Sequence, residues 1–91
     1  MARIFMAHKV TDYDNWKKLY DADAERRASA GLREAGHYHC TDDRNSFLIV
    51  WDHDGGVDAA RAVVDGMMND PNLGKLMQEA GVLEKPTSWI V

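Results

Sequence analysis

The chain has 91 residues and a formal net charge of -4, with 45% hydrophobic and 29% charged residues. A chain of this length predicts one domain, residues 1–91, that buries roughly 60–65% of its unfolded surface when it folds alone. A large internal cavity is hard to build within that limit. The acidic balance argues against a sequence-independent nucleic-acid partner, and no stretch reaches the roughly 20 apolar residues of a membrane span.

The cellular setting suggested by the sequence is the cytoplasm. The first residues form a short apolar run that His8 and Lys9 interrupt, and they lack the long apolar region of a signal peptide. Cys40 is the only cysteine, so no internal disulfide is possible. Both features favour a reducing, cytoplasmic protein without a membrane anchor.

The first half of the chain predicts a strand, a helix and a second strand. Residues 3–10 form a short apolar run that suits a buried strand. Thr11 or Asp12 can cap the helix that follows, and its apolar positions, including Trp16 and Tyr20, recur at the helical period. Gly31 is the expected left-handed residue at the end of that helix. Residues 32–41 form a second, weaker strand.

The second half predicts a hairpin, two helices and a closing strand. Residues 42–45 have the composition of a hairpin loop, and 46–52 form the strand with the most continuous apolar character. A helix is expected over 57–69, ended by Pro71. A short helix from Leu73 to Ala80 and a strand over 87–91 complete the chain.

This order is the α+β, ferredoxin-like split βαββαβ plan with a four-stranded antiparallel sheet. Helices on one face would leave the other face bare. Residues 47–50 are all apolar, so the third strand presents apolar groups on both faces. We therefore expect a second copy to cover the open face, giving a homodimer through the sheets.

The chain resembles the dimeric α/β-barrel superfamily, especially the small antibiotic-biosynthesis-monooxygenase-like and cyclase-like proteins. The segments that carry the resemblance are Phe5-Met6-Ala7-His8-Lys9-Val10, Asp12-Tyr13-Asp14-Asn15-Trp16, Val50-Trp51-Asp52, Asn69-Asp70-Pro71-Asn72-Leu73 and Ala80-Gly81-Val82. The resemblance implies a homodimer with a pocket between sheet and helices in each subunit. It also implies chemistries as varied as cofactor-free oxygenation of aromatic polyketides, haem degradation, cyclisation and isomerisation. The segment from Leu73 to Ala80 lacks the histidine of the haem-degrading branch, so no cofactor is expected.

Two geometric expectations place the histidines. If 42–45 is a loop of two or four residues, opposed positions in the hairpin sum to 87. Tyr38 then shares a face with Phe47, Ile49, Trp51 and His53, whereas a three-residue loop would invert these faces. We also expect the first and third strands to run parallel, which would bring His8 close to Trp51 and His53.

These placements predict a pocket with aromatic walls for a planar aromatic or polyketide-like ligand. His8 would be the general base, and Tyr38 or His53 would donate to the developing oxyanion. The expected substrate-binding residues are Trp16, Tyr20, Trp51, Phe47 and Ile49.

Two alternatives remain open at this stage. The same fold could bind a small ligand without turning it over, with the aromatic residues serving only as core. The His37-x-His39 spacing also places two imidazoles on one strand face, which is compatible with a metal-dependent enzyme, although the spacing fixes no third ligand.

Overall fold

The computed structural model describes all residues from 1 to 91. The elements in chain order are β1 (Ala2–Lys9), α1 (Tyr13–Ala22), α2 (Ala24–Ser29), β2 (Arg33–Cys40), β3 (Asp43–His53), α3 (Gly56–Met68), α4 (Pro71–Glu79) and β4 (Thr87–Ile90). The strands form one sheet in the order β2-β3-β1-β4, with every pairing antiparallel. The ferredoxin-like α+β plan is therefore confirmed. No helix has the length and apolar character needed to cross a membrane.

The expected parallel pairing of the first and third strands is wrong. β1 and β3 are antiparallel, so His8 pairs with Phe47 and Ala2 pairs with His53. The reason is topological: β3 reverses direction from β2 through the hairpin, and β2 runs the same way as β1 after its helical crossover. His8 and His53 consequently lie at opposite ends of the sheet.

The hairpin register is shifted by one residue from the expected sum of 87. His37 pairs with Ile49, Tyr38 with Leu48, and His39 with Phe47. Thr41 and Asp42 form the turn, and the ladder is irregular between His39 and Cys40. Because side chains alternate along a strand, this shift exchanges the two faces. His37 and His39 lie on the helix side with Phe47 and Ile49, while Tyr38 faces the opposite side.

Local side-chain contacts fix the first helix at the end of β1. Asp12 caps α1 by accepting from the Asp14 N–H at 3.1 Å. The Asn45 side chain accepts from the Tyr13 N–H at 2.8 Å and so ties the helix start to β3. The single helix expected up to Gly31 is instead two, separated at Asp23. Gly31 does adopt the left-handed conformation, with φ 81°.

The core lies between the sheet and the helices. A cluster of 15 buried residues includes Ile4 and Met6 from β1, Ile49 and Trp51 from β3, and Trp16 from α1. The opposite face of the sheet carries no helix. There Tyr38 is 59% exposed and Trp89 is 54% exposed, which are high values for aromatic side chains on a sheet.

Candidate functional site

A narrow pocket of about 60 Å³ lies between the sheet and the helices. Four residues predicted from the sequence line it: His8, Trp16, Tyr20 and Trp51. Helices α3 and α4 supply its apolar wall, from Met67, Leu73, Leu76 and Met77. The pocket is mainly apolar with one imidazole, which is the composition of a site for a small organic ligand.

His8 is held in one orientation by the groups around it. Its Nδ1 lies 3.3 Å from the Met6 carbonyl oxygen, which can only accept, so Nδ1 carries the proton. The ring stacks on Phe47 with centroids 5.1 Å apart and planes 6° apart, and Trp16 lies 5.4 Å away. The remaining nitrogen, Nε2, has no hydrogen-bond partner within the chain. Because no fully buried side-chain nitrogen or oxygen lacks a partner, Nε2 keeps some accessible surface. Nε2 is therefore an available acceptor.

Burial lowers the pKa of His8 to about 4, and the nearby His37 acts in the same direction. Desolvation disfavours the imidazolium form, which is charged. His8 is therefore neutral at physiological pH. A neutral imidazole with a free Nε2 is the form that can accept a proton or a hydrogen bond.

Hydrogen bonds brace the aromatic wall of the pocket. Trp16 stacks on Tyr20 with centroids 4.6 Å apart. The Trp51 indole N–H donates to the Tyr20 hydroxyl at 3.0 Å, and that hydroxyl donates to the Glu34 carboxylate at 2.8 Å. Burial raises the pKa of the Tyr20 phenol, so the phenol stays protonated. These contacts hold the aromatic wall in place, and its polar atoms already have hydrogen-bond partners.

The mouth of the pocket is charged. Asp23, Arg26, Leu73 and Leu76 line both the pocket and an outer groove of about 380 Å³ between α2 and α4. Arg26 pairs with Asp23 at 2.6 Å. A ligand larger than the inner pocket would extend into this groove.

Tyr38 and His53, the expected oxyanion donors, lie outside this pocket. The Tyr38 ring covers Gly36 on the open face of the sheet, where a Cβ on residue 36 would collide with it. His53 lies at the far end of β3, with its Nδ1 accepting from the Gly55 N–H at 3.0 Å. The antiparallel pairing and the shifted register are the physical reasons. Gly36 thus makes room for the Tyr38 ring, and Trp51 pairs with Glu34 on the helix side of the sheet.

Phe47 and Ile49 lie behind the pocket surface. Phe47 is buried between the rings of His8 and His37, at 5.1 Å and 5.7 Å from their centroids. Ile49 has no exposed surface. Phe47 therefore acts on the pocket by packing against His8, and Ile49 is part of the core.

His37 and His39 are neighbours, with centroids 5.4 Å apart. The His37 Nε2 lies 3.0 Å from the Tyr13 hydroxyl, and the His39 Nδ1 lies 2.9 Å from the Arg44 carbonyl oxygen. No group of three or more His, Cys, Asp or Glu side chains is arranged to hold a metal ion. Asp52, a carboxylate on the neighbouring strand β3, pairs with Arg3 at 2.8 Å.

Glu34 and Arg27 are two of the residues at this site that sequence reasoning missed. Arg27 lies seven positions after Tyr20, so the helical period that predicts the Tyr20 position also indicates Arg27. Glu34 could not be placed, because it faces the helices only through the irregular pairing between Glu34 and Gly36.

Comparison with known proteins shows the fold. No family model matches the chain, and no curated protein matches it significantly. Solved structures do match it, and three of them are matched over 99–100% of this chain. A NIPSNAP domain protein from Burkholderia xenovorans is 17% identical with a TM-score of 0.64, and the match covers 92% of it. An antibiotic biosynthesis monooxygenase is 14% identical with a TM-score of 0.64, covered over 96%. A dimeric ferredoxin-like protein from an uncultured marine organism is 11% identical with a TM-score of 0.62, covered over 92%.

The chain has the fold of these proteins. The resemblance to antibiotic-biosynthesis-monooxygenase-like proteins, expected from its sequence, is confirmed at the level of the fold. At sequence identities of 11–17%, a shared fold does not indicate a substrate or a mechanism.

Proposed function

We propose that this protein is a small homodimeric, cytoplasmic enzyme of the cofactor-free monooxygenase or cyclase type. It acts on an aromatic or polyketide-like molecule by proton transfer to His8. The observation that carries the proposal is the neutral His8, which has an unpartnered Nε2 and lines a pocket walled by Trp16, Tyr20 and Trp51. A solved protein described as an antibiotic biosynthesis monooxygenase has the same fold.

The chemistry begins with one proton. The His8 Nε2 takes it from an acidic carbon beside a carbonyl, and the electron pair stays on the substrate as an enolate. In the oxygenase route the enolate carbon reacts with O₂, and the resulting peroxide takes the proton back from His8 to give a hydroperoxide. Where that carbon still carries a hydrogen, the hydroperoxide loses water and leaves a new carbonyl. In the cyclase route the carbon attacks a second carbonyl of the same molecule, and the alkoxide takes the proton back from His8.

A second copy is proposed to cover the open face of the sheet. Phe5, Leu48 and Val50 lie on this face beside the exposed Tyr38 and Trp89. Apolar faces of this kind mark interaction sites, and a fold relative is described as dimeric. The substitution Leu48→Asp should lower the mass measured by light scattering from dimer to monomer. Val57→Asp, on the exposed side of α3, should leave it unchanged, and a wild-type monomer at micromolar concentration would refute the dimer.

Anthrone tests the proton transfer, because its C10 hydrogens are acidic through the carbonyl across the ring. Without oxygen, wild-type protein in D₂O should accelerate deuterium exchange at C10. With oxygen, one anthrone and one O₂ should give one anthraquinone and one water. General base catalysis contributes about 10²–10⁴-fold, so His8→Gln should bring exchange close to the uncatalysed rate.

Two results separate the parts of the proposal. If His8→Gln retains wild-type exchange while its circular dichroism is unchanged, His8 is not the base. If exchange is accelerated but no anthraquinone forms in air, the oxygenase route is wrong and the cyclase route stands.

A ligand-binding protein without turnover is the second candidate function. The position of Tyr38 and His53, the expected oxyanion donors, outside the inner pocket favours it, because an enzyme of this type needs a group that stabilises the developing oxyanion. Under this alternative, aromatic ligands bind to the wild type and to His8→Gln, and neither protein accelerates exchange.

A further inference from the structure

One arginine of this chain is half-buried at the pocket and has no carboxylate partner. The chain has six arginines. Four of them form ion pairs, Arg3 with Asp52, Arg26 with Asp23, Arg33 with Asp54 and Arg44 with Asp14. Of the other two, Arg61 is exposed on α3 and Arg27 is half-buried on α2.

Arg27 is held in place by neutral groups only. Its Nη1 donates to the Tyr20 carbonyl oxygen at 2.6 Å, and its guanidinium carbon lies 3.5 Å from the centroid of the Tyr20 ring. This cation–π contact and the hydrogen bond together hold the guanidinium against the Tyr20 ring. The Nε and Nη2 groups have no acceptor within the chain. They are not fully buried, so a ligand can reach them. Together they present the two parallel donors that match a carboxylate.

The position of Arg27 links two cavities. Arg27, Tyr20 and Trp51 line the inner pocket, and the same three residues line an adjoining groove of about 210 Å³. The other charges of that groove already have partners. Lys17 pairs with Asp21, while Glu34 accepts from Tyr20 and lies 3.7 Å from His37. Arg27 is the one cation of the groove that no carboxylate neutralises.

We propose that Arg27 determines specificity by binding a carboxylate on the ligand, so that the preferred ligand is an aromatic acid. This inference rests on the proposed function for the aromatic pocket itself. The ring lies against Trp16 and Trp51, and the carboxylate lies at the wall that Tyr20 and Arg27 form. An acid without an aromatic ring lacks the apolar contacts, and a neutral aromatic molecule lacks the ion pair.

The experiment compares two probes of the same shape, 4-hydroxybenzoate and 4-hydroxybenzamide, by isothermal titration calorimetry. Wild-type protein should bind the acid about tenfold more tightly than the amide, or better, which corresponds to about 1.4 kcal/mol. Arg27→Gln should reduce this ratio to about one while binding the amide as the wild type does. Arg61→Gln removes the same charge from the exposed side of α3 and should keep the wild-type ratio. Arg27→Lys should give an intermediate ratio, because an ammonium group offers a point charge without the paired donors.

Amide binding also tests folding, since a purely structural role for Arg27 in joining α1 to α2 would weaken both probes equally in Arg27→Gln. That result overturns the inference. Equal binding of acid and amide by the wild type overturns it too, while leaving the aromatic pocket of the proposed function intact. If the wild type binds neither probe, the pocket is not an aromatic ligand site, and the proposed function fails together with the inference.

Discussion

Acid should destabilise this protein through His8 at a pH where most folded proteins remain stable. Burial lowers the pKa of His8 from 6.5 to about 4 in the folded state. The unfolded state therefore binds the proton more tightly than the folded state does. His8 contributes no penalty above pH 6.5, and it destabilises the fold progressively as the pH falls from 6.5 to 4.

The size of the effect follows from the two pKa values. A tenfold difference in proton affinity is worth about 1.36 kcal/mol. The change of the His8 pKa to about 4 therefore predicts a loss of about 3 kcal/mol between pH 7.5 and pH 4. This is a large part of the roughly 5–10 kcal/mol expected for a domain of this size.

Urea unfolding of wild type and His8→Gln at one protein concentration, from pH 7.5 to pH 4, measures the contribution of His8 protonation to the free energy of unfolding. Glutamine is neutral throughout this range and retains an N–H for the Met6 carbonyl. The free energy of unfolding should fall with pH more steeply for the wild type, with the difference between the two proteins changing by about 3 kcal/mol. Their difference at pH 7.5 measures packing alone. If that difference stays constant to pH 4, His8 is not held neutral by burial, and its description as the available acceptor is refuted.

Two further predictions concern the fold and the wall of the pocket. Gly81→Ala should destabilise the protein by more than about 1 kcal/mol, because residue 81 has φ 78° and a Cβ there would collide with the Thr11 hydroxyl. Gly66→Ala, in the exposed last turn of α3 with no neighbour within 4 Å of the added Cβ, should stabilise it by up to about 1 kcal/mol in the same thermal unfolding assay. Equal effects of the two substitutions would contradict the left-handed conformation of residue 81. Tyr20→Phe removes the acceptor of the Trp51 indole N–H and should lower the free energy of unfolding by about 1–3 kcal/mol. NMR should show faster hydrogen exchange of that N–H. An unchanged exchange rate would show that the hydrogen bond is absent.

The sequence predicted the positions that depend on local periodicity. Trp16 and Tyr20 follow the helical period of α1, and both line the pocket as expected. His8 alternates with Ile4 and Met6 along β1, and it lies on the helix side with them. Each of these placements needs only the residues of one element.

Placements that depend on how two strands pair could not be predicted. Asp43 and Asn45 have the composition of a turn, but they belong to β3. Asp43 accepts from the Asn45 N–H and the Ser46 hydroxyl, and the Asn45 side chain accepts from the Tyr13 N–H. Nothing in the local composition distinguishes such an irregular strand start from a loop. A one-residue error in register exchanges the faces of a strand, which is why Tyr38 was expected at the pocket.

The central claim, that a ligand contacts the free nitrogen of His8, is tested most directly by NMR of the imidazole nitrogens during titration with 4-hydroxybenzamide at pH 7. The account predicts that the Nε2 resonance of His8 shifts with ligand concentration, while Nδ1 remains protonated toward the Met6 carbonyl. A titration at saturating ligand that moves the resonances of His53 or His37 but not those of His8 would contradict it.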